Sequence, residues 1–569
     1  MWFGGSGGPR AGWRRPVSSR PVWPDSAGFW DSGDWPRHER KTVERGGVRV
    51  AVFGPCGVSR NELEALAASD APDDMAWRWP GSYTVVRLDH EGTTIWTDLG
   101  WAQPVYILTT RGVTTWASSS LLLASLNGHR PDLSQITDRL IDPDLSESAA
   151  RRSWFAGVER LPPGHRVTLA RDGTVGVGRV WVPRHKHGLD HPALLRTELD
   201  AAVRLRVDTA DAPSTDFSGG FDSTALGLIA AEHLYPRRRR IIASTVHPSG
   251  VTSGGDLDYA REAGWHPGLH HVWLPLGDEH APYQELDRVP ATDEPAPTTV
   301  SHAYFSAQLH WLAREHGCDL HMTGDGGDGL LLTQVGYLAD LARAGKAVRA
   351  VRETALWAHV RKKSWFDVLG SIRKSSSPQE GRPWVNKVAR EQEAPVAELF
   401  EPCTRSQRSV ISAVLPAGRT ARSDAQIAER CGIGLHNPYF DSRIIDTCLA
   451  VPTRELPGPA RYKPLMAEAM AGLFPPRLAR RTTKGDASAD HYGGLRKALP
   501  RITDMLDGHL AALGLIDVPR LRRVVADTAA GLSSDLYPVE SAVAVETWLR
   551  ALTARPTTTW LIERTEART

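Results

Sequence analysis

Short segments of alternating polarity dominate the chain from about residue 47 to residue 182. Segments such as GVRVAVFG, GSYTVVRLD, TTIWTDL, PVYILTT and HRVTLARDGTV are rich in β-branched residues and are separated by Gly, Asp-Gly or Pro. This pattern is typical of half-buried strands joined by tight turns. We therefore predict a mostly antiparallel α+β domain over residues 45–182, with a few helices such as NELEALAAS, and a linker over residues 183–192.

The pattern changes after the linker, where strands and helices alternate. STDF, IIASTVH, HVWLPL and DLHMTG are strand-like, and they are interleaved with the helical patterns ALLRTELDAAVRLRV, STALGLIAAEHLY and SHAYFSAQLHWLAREHG. Such alternation indicates parallel βαβ units. Beyond residue 335 the pattern is largely helical. The prediction is an α/β chain of two domains, in which residues 193–569 form a parallel sheet and a helical tail.

Composition and charge narrow the classes of function. The chain has 569 residues and a formal net charge of +2, so neither bulk nucleic-acid binding nor membrane binding is indicated. Five scattered cysteines without a CxxC pair argue against a disulfide framework or a zinc site and favour a cytoplasmic location. No apolar run reaches the roughly 18 residues of a membrane span. The Gly-, Pro- and Arg-rich residues 1–44 are predicted to be a disordered, variable tail.

A glycine turn, FSGGFDST, joins a predicted strand to a predicted helix at residues 217–224. In α/β sheets, ligands bind at the loops that follow the carboxyl ends of strands. Paired glycines let successive N–H groups point into one concavity, hydroxyl groups add donors, and the helix begins there with its positive end. The turn therefore predicts a nest for phosphate or pyrophosphate, made of Ser218, Gly219, Gly220, Ser223 and Thr224.

Acidic residues accompany this turn and a second glycine loop. Asp222 is explained best as a Mg²⁺ ligand, because a plain strand–helix turn has no use for a carboxylate there. HMTGDGGDGLL, residues 321–331, also follows a predicted strand and carries Asp325 and Asp328 between glycines. Its spacing does not fit an EF-hand. Asp328 is predicted to share the Mg²⁺ with Asp222, and a structural turn is the alternative.

Together these segments resemble a known family. FSGGFDST resembles the SGGxDS loop of the N-type ATP pyrophosphatases, and MTGDGGDGLL resembles the corresponding loop of the asparagine synthetase group. NPYFDSRIIDTCLAVP and RYKPLMAEAM…FPPRLARRTTKGD resemble later segments of that group, and the N-terminal domain is similar to its glutaminase (Ntn-type) domain. The resemblance covers roughly residues 45–500 and implies that ATP activates a carboxylate as an acyl-adenylate, after which an amine displaces AMP.

The resemblance also implies roles for individual residues. The nest residues and Asp222 would hold pyrophosphate, Thr323 and Gly324 would contact ATP, and Asp222 and Asp328 would bind Mg²⁺. Lys484 matches the late lysine that stabilises adenylation in the family. The implied cofactors are ATP and Mg²⁺.

Three departures from the family pattern narrow the function. Glutamine-dependent members begin with a nucleophilic cysteine, whereas Trp2 follows the initiator here and Cys56 is the first cysteine. A catalytic Cys is therefore expected to be missing from the glutaminase-like domain. Asp325 stands where asparagine synthetases have a glutamate, and it remains a candidate to receive a proton from the amine. His436 replaces an arginine, which argues against aspartate as the substrate.

Two groups of relatives lack glutaminase activity. The TTKGD loop, the NPYFD segment and the degenerate N-terminus make the chain resemble the lasso peptide cyclases more than the β-lactam synthetases, which have a tyrosine where Asp325 stands. In the lasso peptide cyclases an Asp or Glu side chain of a leader-cleaved precursor peptide is adenylated, and the peptide's own N-terminal amine closes a macrolactam (isopeptide) ring. That resemblance implies a leader-binding protein and a leader peptidase as partners. The alternatives are a glutaminase-dead asparagine synthetase, a small-ring (β-lactam-type) synthetase and a non-catalytic ATP-binding scaffold.

One further acidic pair precedes a predicted helix. Asp293 and Glu294 in ATDEPAPTTVSHAY match a family segment with DEP and are candidates to approach Mg²⁺ or the substrate, together with His436. The alternative is a rigid loop with a helix cap at Ser301.

Overall fold

The fold is described from a computed structural model of the chain. The described residues are 1–7, 13–26, 28–143, 151–171, 173–374, 381–386, 396–401, 403–456, 458–482, 485, 488–555 and 557–562.

The strands are numbered in chain order. They are β1 Trp2–Gly7, β2 Arg14–Pro16, β3 Ser19–Pro21, β4 Phe29–Ser32, β5 Arg40–Arg45, β6 Val48–Phe53, β7 Thr84–Leu88, β8 Gly92–Trp96, β9 Tyr106–Thr110, β10 Val113–Ala117, β11 Glu159–Arg160, β12 His165–Ala170, β13 Val175–Arg179, β14 Pro213–Asp216, β15 Ile241–Pro248, β16 Leu269–Leu276, β17 Leu320–Met322, β18 Gly434–His436 and β19 Trp560–Ile562.

The α-helices are numbered in the same way. They are α1 Arg60–Ala68, α2 Ser120–Ala124, α3 Leu133–Ile141, α4 His191–Val207, α5 Phe221–Leu234, α6 Gly255–Ala263, α7 His302–Glu315, α8 Gly327–Leu331, α9 Tyr337–Arg343, α10 Ala347–Val360, α11 Trp365–Lys374, α12 Arg405–Arg430, α13 Ser442–Leu449, α14 Pro464–Ala469, α15 Pro476–Ala479, α16 Ser488–Met505, α17 His509–Ala512, α18 Val518–Ala529 and α19 Leu536–Ala554. No helix among the described residues is long and apolar enough to cross a membrane.

Two antiparallel sheets form the N-terminal half. Their strand orders are β11-β9-β10-β1-β4-β3 and β13-β12-β8-β7-β6-β5. Apolar side chains of both sheets meet in one core, in which Phe3 stacks on Phe53 with ring centroids 4.2 Å apart. Helix α1 covers the outer face of the second sheet, and α2 and α3 pack on the first. The predicted antiparallel character of this half is confirmed.

The predicted disordered tail over residues 1–44 is wrong for the part of it that the structure describes. Strand β1 lies in the interior of the first sheet, between β10 and β4. The glycines of its sequence WFGGSG are required by packing rather than by flexibility. A Cβ on Gly4 would lie 2.5 Å from the carbonyl oxygen of Trp116, and one on Gly5 would lie 2.7 Å from the Trp116 ring.

A five-stranded parallel sheet lies in the second half, in the order β16-β15-β14-β17-β18. The chain runs outward from β14 through β15 to β16 and then returns to the other side of β14 with β17 and β18. Helix α5 follows β14, and nearly all of its residues are buried, in keeping with its apolar sequence. The predicted parallel sheet with helices after it is confirmed.

The two halves share extensive buried contacts. Leu99 and Trp101 of the N-terminal half pack in the same core as the helices around the parallel sheet. Arg206 of α4 forms a buried bidentate ion pair with Asp441, which also accepts a 2.8 Å hydrogen bond from Ser82 Oγ. Near the end of the chain, β19 pairs with β2. Helix α4 begins at His191, so it includes the last two residues of the linker predicted over residues 183–192.

Candidate active site

Three loops meet at the carboxyl edge of the parallel sheet. Strand β14 lies at the point where the strand order reverses, with β15 on one side and β17 on the other. In open α/β sheets, ligands bind in the crevice at such a point. The FSGGFDST loop follows β14, the TGDGGDG loop follows β17, and the HNPYFD segment begins at the end of β18. Both glycine loops that the sequence singled out therefore border the same crevice.

The first loop has the geometry of an anion nest. Gly219 has φ +81°, and a Cβ there would lie 2.2 Å from the carbonyl oxygen of Asp256. Gly220 precedes the first turn of α5, whose N–H groups point toward the crevice. The hydroxyl oxygens of Ser218 and Ser223 are 2.9 Å apart, and the Gly220 N–H donates to Ser218 Oγ. Thr224 is buried in the same turn.

The second glycine loop packs directly on the start of α5. A Cβ on Gly324 would lie 2.9 Å from the backbone nitrogen of Ser223, and one on Gly327 would lie 2.4 Å from the carboxyl carbon of Asp222. Glycine is thus required where the two loops touch. Tyr439 also holds the start of α5, because its hydroxyl donates a 3.0 Å hydrogen bond to the carbonyl oxygen of Asp222.

A buried lysine that the sequence analysis missed lies between the two predicted magnesium ligands. Lys463 Nζ forms ion pairs with Asp222 Oδ2 and, at 2.6 Å, with Asp328 Oδ1. Lys463 is almost fully buried and has φ +38° immediately before α14. In the sequence, Pro464 indicates the start of that helix. Nothing in the residues around Lys463 indicates that its side chain contacts Asp222, which lies 241 residues earlier in the chain.

The residues present fit a magnesium ion. The Lys463 ammonium is a stand-in cation, and it shows that the Asp222 and Asp328 carboxylates converge on one positive charge. Mg²⁺ in nucleotide sites is commonly held by one or two carboxylates together with substrate phosphates. Within the described residues, no group of three or more His, Cys, Asp or Glu side chains forms a metal cage. Asp222 and Asp328 together with the phosphates of ATP would therefore make a magnesium site of this common kind.

Asp325 and Thr323 lie next to the nest, on the second loop. Thr323 Oγ1 donates a 2.7 Å hydrogen bond to Asp325 Oδ2. Asn437 Nδ2, at the end of β18, donates to Thr323 Oγ1 at 2.7 Å and to Asp325 Oδ2 at 3.2 Å. Asp325 remains exposed, so a substrate can reach it while these bonds hold its orientation.

Lys484 lies outside the described residues, but the residues on both sides of it are placed at the nest. Arg481 Nη1 donates a 2.8 Å hydrogen bond to the carbonyl oxygen of Gly219, and its other nitrogen pairs with Asp256. The Gly485 N–H also donates to Asp256, at 3.2 Å. Arg481 and Gly485 therefore both contact Asp256, and Arg481 also contacts the phosphate loop at Gly219.

Asp293 and Glu294 do not join this site. Both are about 2% exposed, and protein donors already occupy them. Asp293 accepts hydrogen bonds from Ser119 Oγ and from the backbone N–H of Leu121 in the N-terminal half. Glu294 pairs with Arg419 at 3.0 Å and accepts from the Trp154 indole at 2.9 Å. The expectation that this pair approaches Mg²⁺ or substrate is wrong, because its carboxylates hold the two halves together.

His436 is likewise turned away from the nest. Its Nε2 lies 3.1 Å from Glu39 Oε1 of the N-terminal half, and only its backbone oxygen contacts the second loop, where it accepts from the Thr323 N–H. Burial by itself would raise the pKa of Glu39, but His436, together with His38 and Arg206, outweighs burial and lowers that pKa. The His436 side chain is part of the contact between the two halves, contrary to the expectation of a substrate role.

Comparison with known proteins gives a family for the second half. One similar solved structure is a B. subtilis glutamine phosphoribosylpyrophosphate amidotransferase complexed with ADP and GMP; the identity is 9%, the match covers 57% of this chain and 82% of that chain, and the TM-score is 0.22. Another is an allosteric regulatory enzyme of purine biosynthesis; the identity is 12%, the match covers 43% of this chain and 64% of that chain, and the TM-score is 0.18. TM-scores this low support no conclusion about the chain. No curated protein sequence matches it. The sequence model of asparagine synthase matches residues 194–550, which include every loop of the site, and the chain therefore belongs to the asparagine synthase family.

Proposed function

We propose that the protein is a lasso peptide cyclase that uses ATP and Mg²⁺. In this proposal an Asp or Glu side chain of a leader-cleaved precursor peptide attacks the α-phosphorus of ATP and releases pyrophosphate. The peptide's N-terminal amine then attacks the acyl-adenylate, forms the macrolactam and releases AMP. A leader-binding protein and a leader peptidase would supply the substrate.

The convergence of the two glycine loops on Lys463 is the observation that carries the adenylation step. The nest at Gly219 and Gly220 presents N–H donors and a helix N-terminus to phosphate oxygens. Lys463 adds a buried positive charge between Asp222 and Asp328. When bound there, Mg²⁺ would supply charge neutralisation on the pyrophosphate leaving group. The asparagine synthase family likewise implies an ATP-dependent amide-bond-forming enzyme.

The cysteines favour an amine that the substrate itself provides. Burial raises the pKa of the thiols of Cys56 and Cys448 to about 12 and that of Cys318 to about 11. Burial also raises the thiol pKa of Cys403 and Cys431. A thiol with a raised pKa is a poor nucleophile at neutral pH, so glutamine hydrolysis at any of these cysteines is disfavoured. An amine carried by the peptide removes the need for ammonia.

The test is a reaction with purified protein, ATP and Mg²⁺ in which AMP, pyrophosphate and substrate mass are followed together. One arm contains a leader-cleaved candidate precursor peptide, and the other contains aspartate with ammonia. AMP together with a peptide lighter by one water is the expected result. AMP formed only with aspartate and ammonia would overturn the cyclase, and no AMP in either arm would overturn adenylation itself.

Variants connect the activity to the site. Asp222→Asn and Lys484→Ala are expected to abolish AMP formation, because the first removes a carboxylate beside the nest and the second removes the lysine that the family resemblance assigns to adenylation. Asp278→Asn is the matched control, since Asp278 is an exposed carboxylate paired with Lys497 at the surface. Equal losses in all three variants would mean that the activity does not reside at the nest.

A further inference from the structure

Ten residues at the junction of α10 and α11, residues 360–369, form a surface that is almost entirely exposed. Its large apolar side chains are Phe366, which is 84% exposed, and Val360, Trp365 and Leu369, which are about half exposed. Of these ten residues, all of which the structure describes, Val368 alone is buried, and it packs on the core of α9 and α10. A contiguous exposed apolar patch with a polar rim marks an interaction site. None of these residues belongs to the candidate active site, so the surface needs a separate explanation.

Helix α11 presents three of these side chains on one face, which we call the apolar face. With about 3.6 residues per turn, Trp365, Phe366 and Leu369 lie within about 100° of one another around the helix. The start of the helix is fixed, because the hydroxyl and the N–H of Ser364 donate to Asp367 Oδ2 at 2.8 and 3.1 Å. The Asp367 N–H donates back to Ser364 Oγ. This reciprocal cap sets the direction in which the apolar face points.

Three basic residues, which we call the basic turn, precede the apolar face. Arg361, Lys362 and Lys363 are consecutive and exposed, and they follow the end of α10. Lys362 has φ +50°, and the N–H of Lys363 donates a 2.9 Å hydrogen bond to the carbonyl oxygen of Ala358. Such a left-handed helix ending favours glycine, so the chain holds a lysine there at a conformational cost.

The charge of this surface differs from the balance of the chain as a whole. Residues 360–369 contain the three basic residues and one acidic residue, Asp367, which gives them a net charge of +2. The formal net charge of the whole 569-residue chain is also +2, so all the other residues together sum to zero. Asp367 is engaged by Ser364, whereas the basic turn forms no ion pair with any residue that the structure describes. An approaching anion therefore meets three exposed cations.

These features complement an anionic lipid bilayer. Aromatic and aliphatic side chains of an amphipathic helix enter the boundary between headgroups and acyl chains, and Lys and Arg side chains reach the lipid phosphates. Each basic residue near an anionic surface strengthens binding about fivefold, and salt screens this attraction. An acidic protein is a weaker match, since lysine is depleted from protein interfaces and two of the three residues of the basic turn are lysines.

We propose that residues 360–369 bind the surface of membranes that contain anionic phospholipids. The apolar face lies at the level of the headgroups, and the basic turn contacts their phosphates. The attachment is reversible, because three side chains and a short basic segment bury too little apolar area for permanent anchoring. The proposal is independent of the proposed function, and its test requires no catalytic activity.

Vesicle sedimentation of the full-length protein tests the proposal. We expect binding to vesicles of phosphatidylcholine mixed with phosphatidylglycerol, weaker binding when NaCl is added, and little binding to phosphatidylcholine alone. Phe366→Asp should weaken binding by about tenfold or more, because the burial of a phenylalanine is lost and a negative charge is introduced. Leu532→Asp is the matched control, since Leu532 is 80% exposed at a different place, after α18, and its replacement should leave binding unchanged.

Lys362→Gly separates the charge from folding. Glycine removes one positive charge but accepts φ +50°, so binding to anionic vesicles should fall about fivefold while Tm stays the same or rises. Unchanged binding in this variant would overturn the role of the basic turn. No sedimentation of the wild type with anionic vesicles, or equal losses in Leu532→Asp and Phe366→Asp, would overturn the membrane site. Soluble poly-glutamate is a second probe, and its binding without any binding of vesicles would overturn the membrane in favour of an acidic protein.

Discussion

Lys463→Met offers the sharpest test of the phosphate site. The substitution keeps the length of the side chain and the φ of +38° but removes the ammonium between Asp222 and Asp328. Breaking a buried ion pair costs about 3–5 kcal/mol because a charge is left without its partner. The side chain of Asp328 is 47% exposed and solvent screens it, so the lower end, about 3 kcal/mol, is expected.

Urea denaturation measures the loss, with EDTA in one series and Mg²⁺ with ATP in the other. In EDTA the variant should lose about 3 kcal/mol of unfolding free energy. Mg²⁺ with ATP should stabilise the variant more than the wild type, since the metal then replaces the missing charge between the two carboxylates.

Lys497→Met is the control. Lys497 pairs with Asp278 at 2.8 Å, but both side chains are more than half exposed, so the expected loss is only about 0–1 kcal/mol. Equal losses in the two variants would refute the reasoning, because Lys463 would then behave as a surface charge. A loss in Lys463→Met that Mg²⁺ and ATP do not reduce would refute the metal assignment.

Three further outcomes are expected. Gly219→Ala should abolish ATP binding in calorimetry, because the new Cβ would meet the Asp256 carbonyl at 2.2 Å and φ is +81°; unchanged affinity would show that the nest is not used. Burial raises the pKa of Asp98 to about 7, so this group's contribution to stability is full below pH 4 and is lost as pH rises to 7. Asp98→Asn should therefore become more stable relative to wild type by up to about 4 kcal/mol between pH 4 and pH 8, and a constant difference across that range would contradict the shift. Arg419→Met should cost about 3–5 kcal/mol in thermal unfolding, because it leaves the Glu294 carboxylate without its cation, and a loss no larger than that of a surface arginine would contradict this.

The sequence predicts the parts of the site that are local in the chain. The nest and the second loop are short runs in which glycines, hydroxyls and acids follow a strand, and the physical reason for each residue lies within a few positions. The two loops meet at one edge of the sheet because they follow β14 and β17, which are neighbouring parallel strands. That is why Gly219, Asp222, Gly324 and Asp328 could be predicted to lie together at one edge of the sheet.

The parts of the site that the sequence analysis missed or misassigned depend on partners far along the chain. Lys463 contacts Asp222 across 241 residues, and nothing beside Lys463 indicates that contact. Asp293 and Glu294 have the composition of metal ligands, but donors from the N-terminal half satisfy them. The glycines of β1 were interpreted as a sign of a disordered segment, whereas Trp116 packs so closely on them that no Cβ fits.

The contact between the two halves bears on how the protein unfolds and how it can evolve. Glu294 and Asp441 are buried carboxylates of the second half that take hydrogen bonds from Trp154 and Ser82 of the first. Separating the halves would remove the hydrogen-bond partners of the Trp154 indole and the Ser82 hydroxyl and expose the core that the halves share, so the chain should melt in one cooperative transition. Selection can therefore retain the N-terminal half because it stabilises the second half, even if the N-terminal half catalyses no reaction.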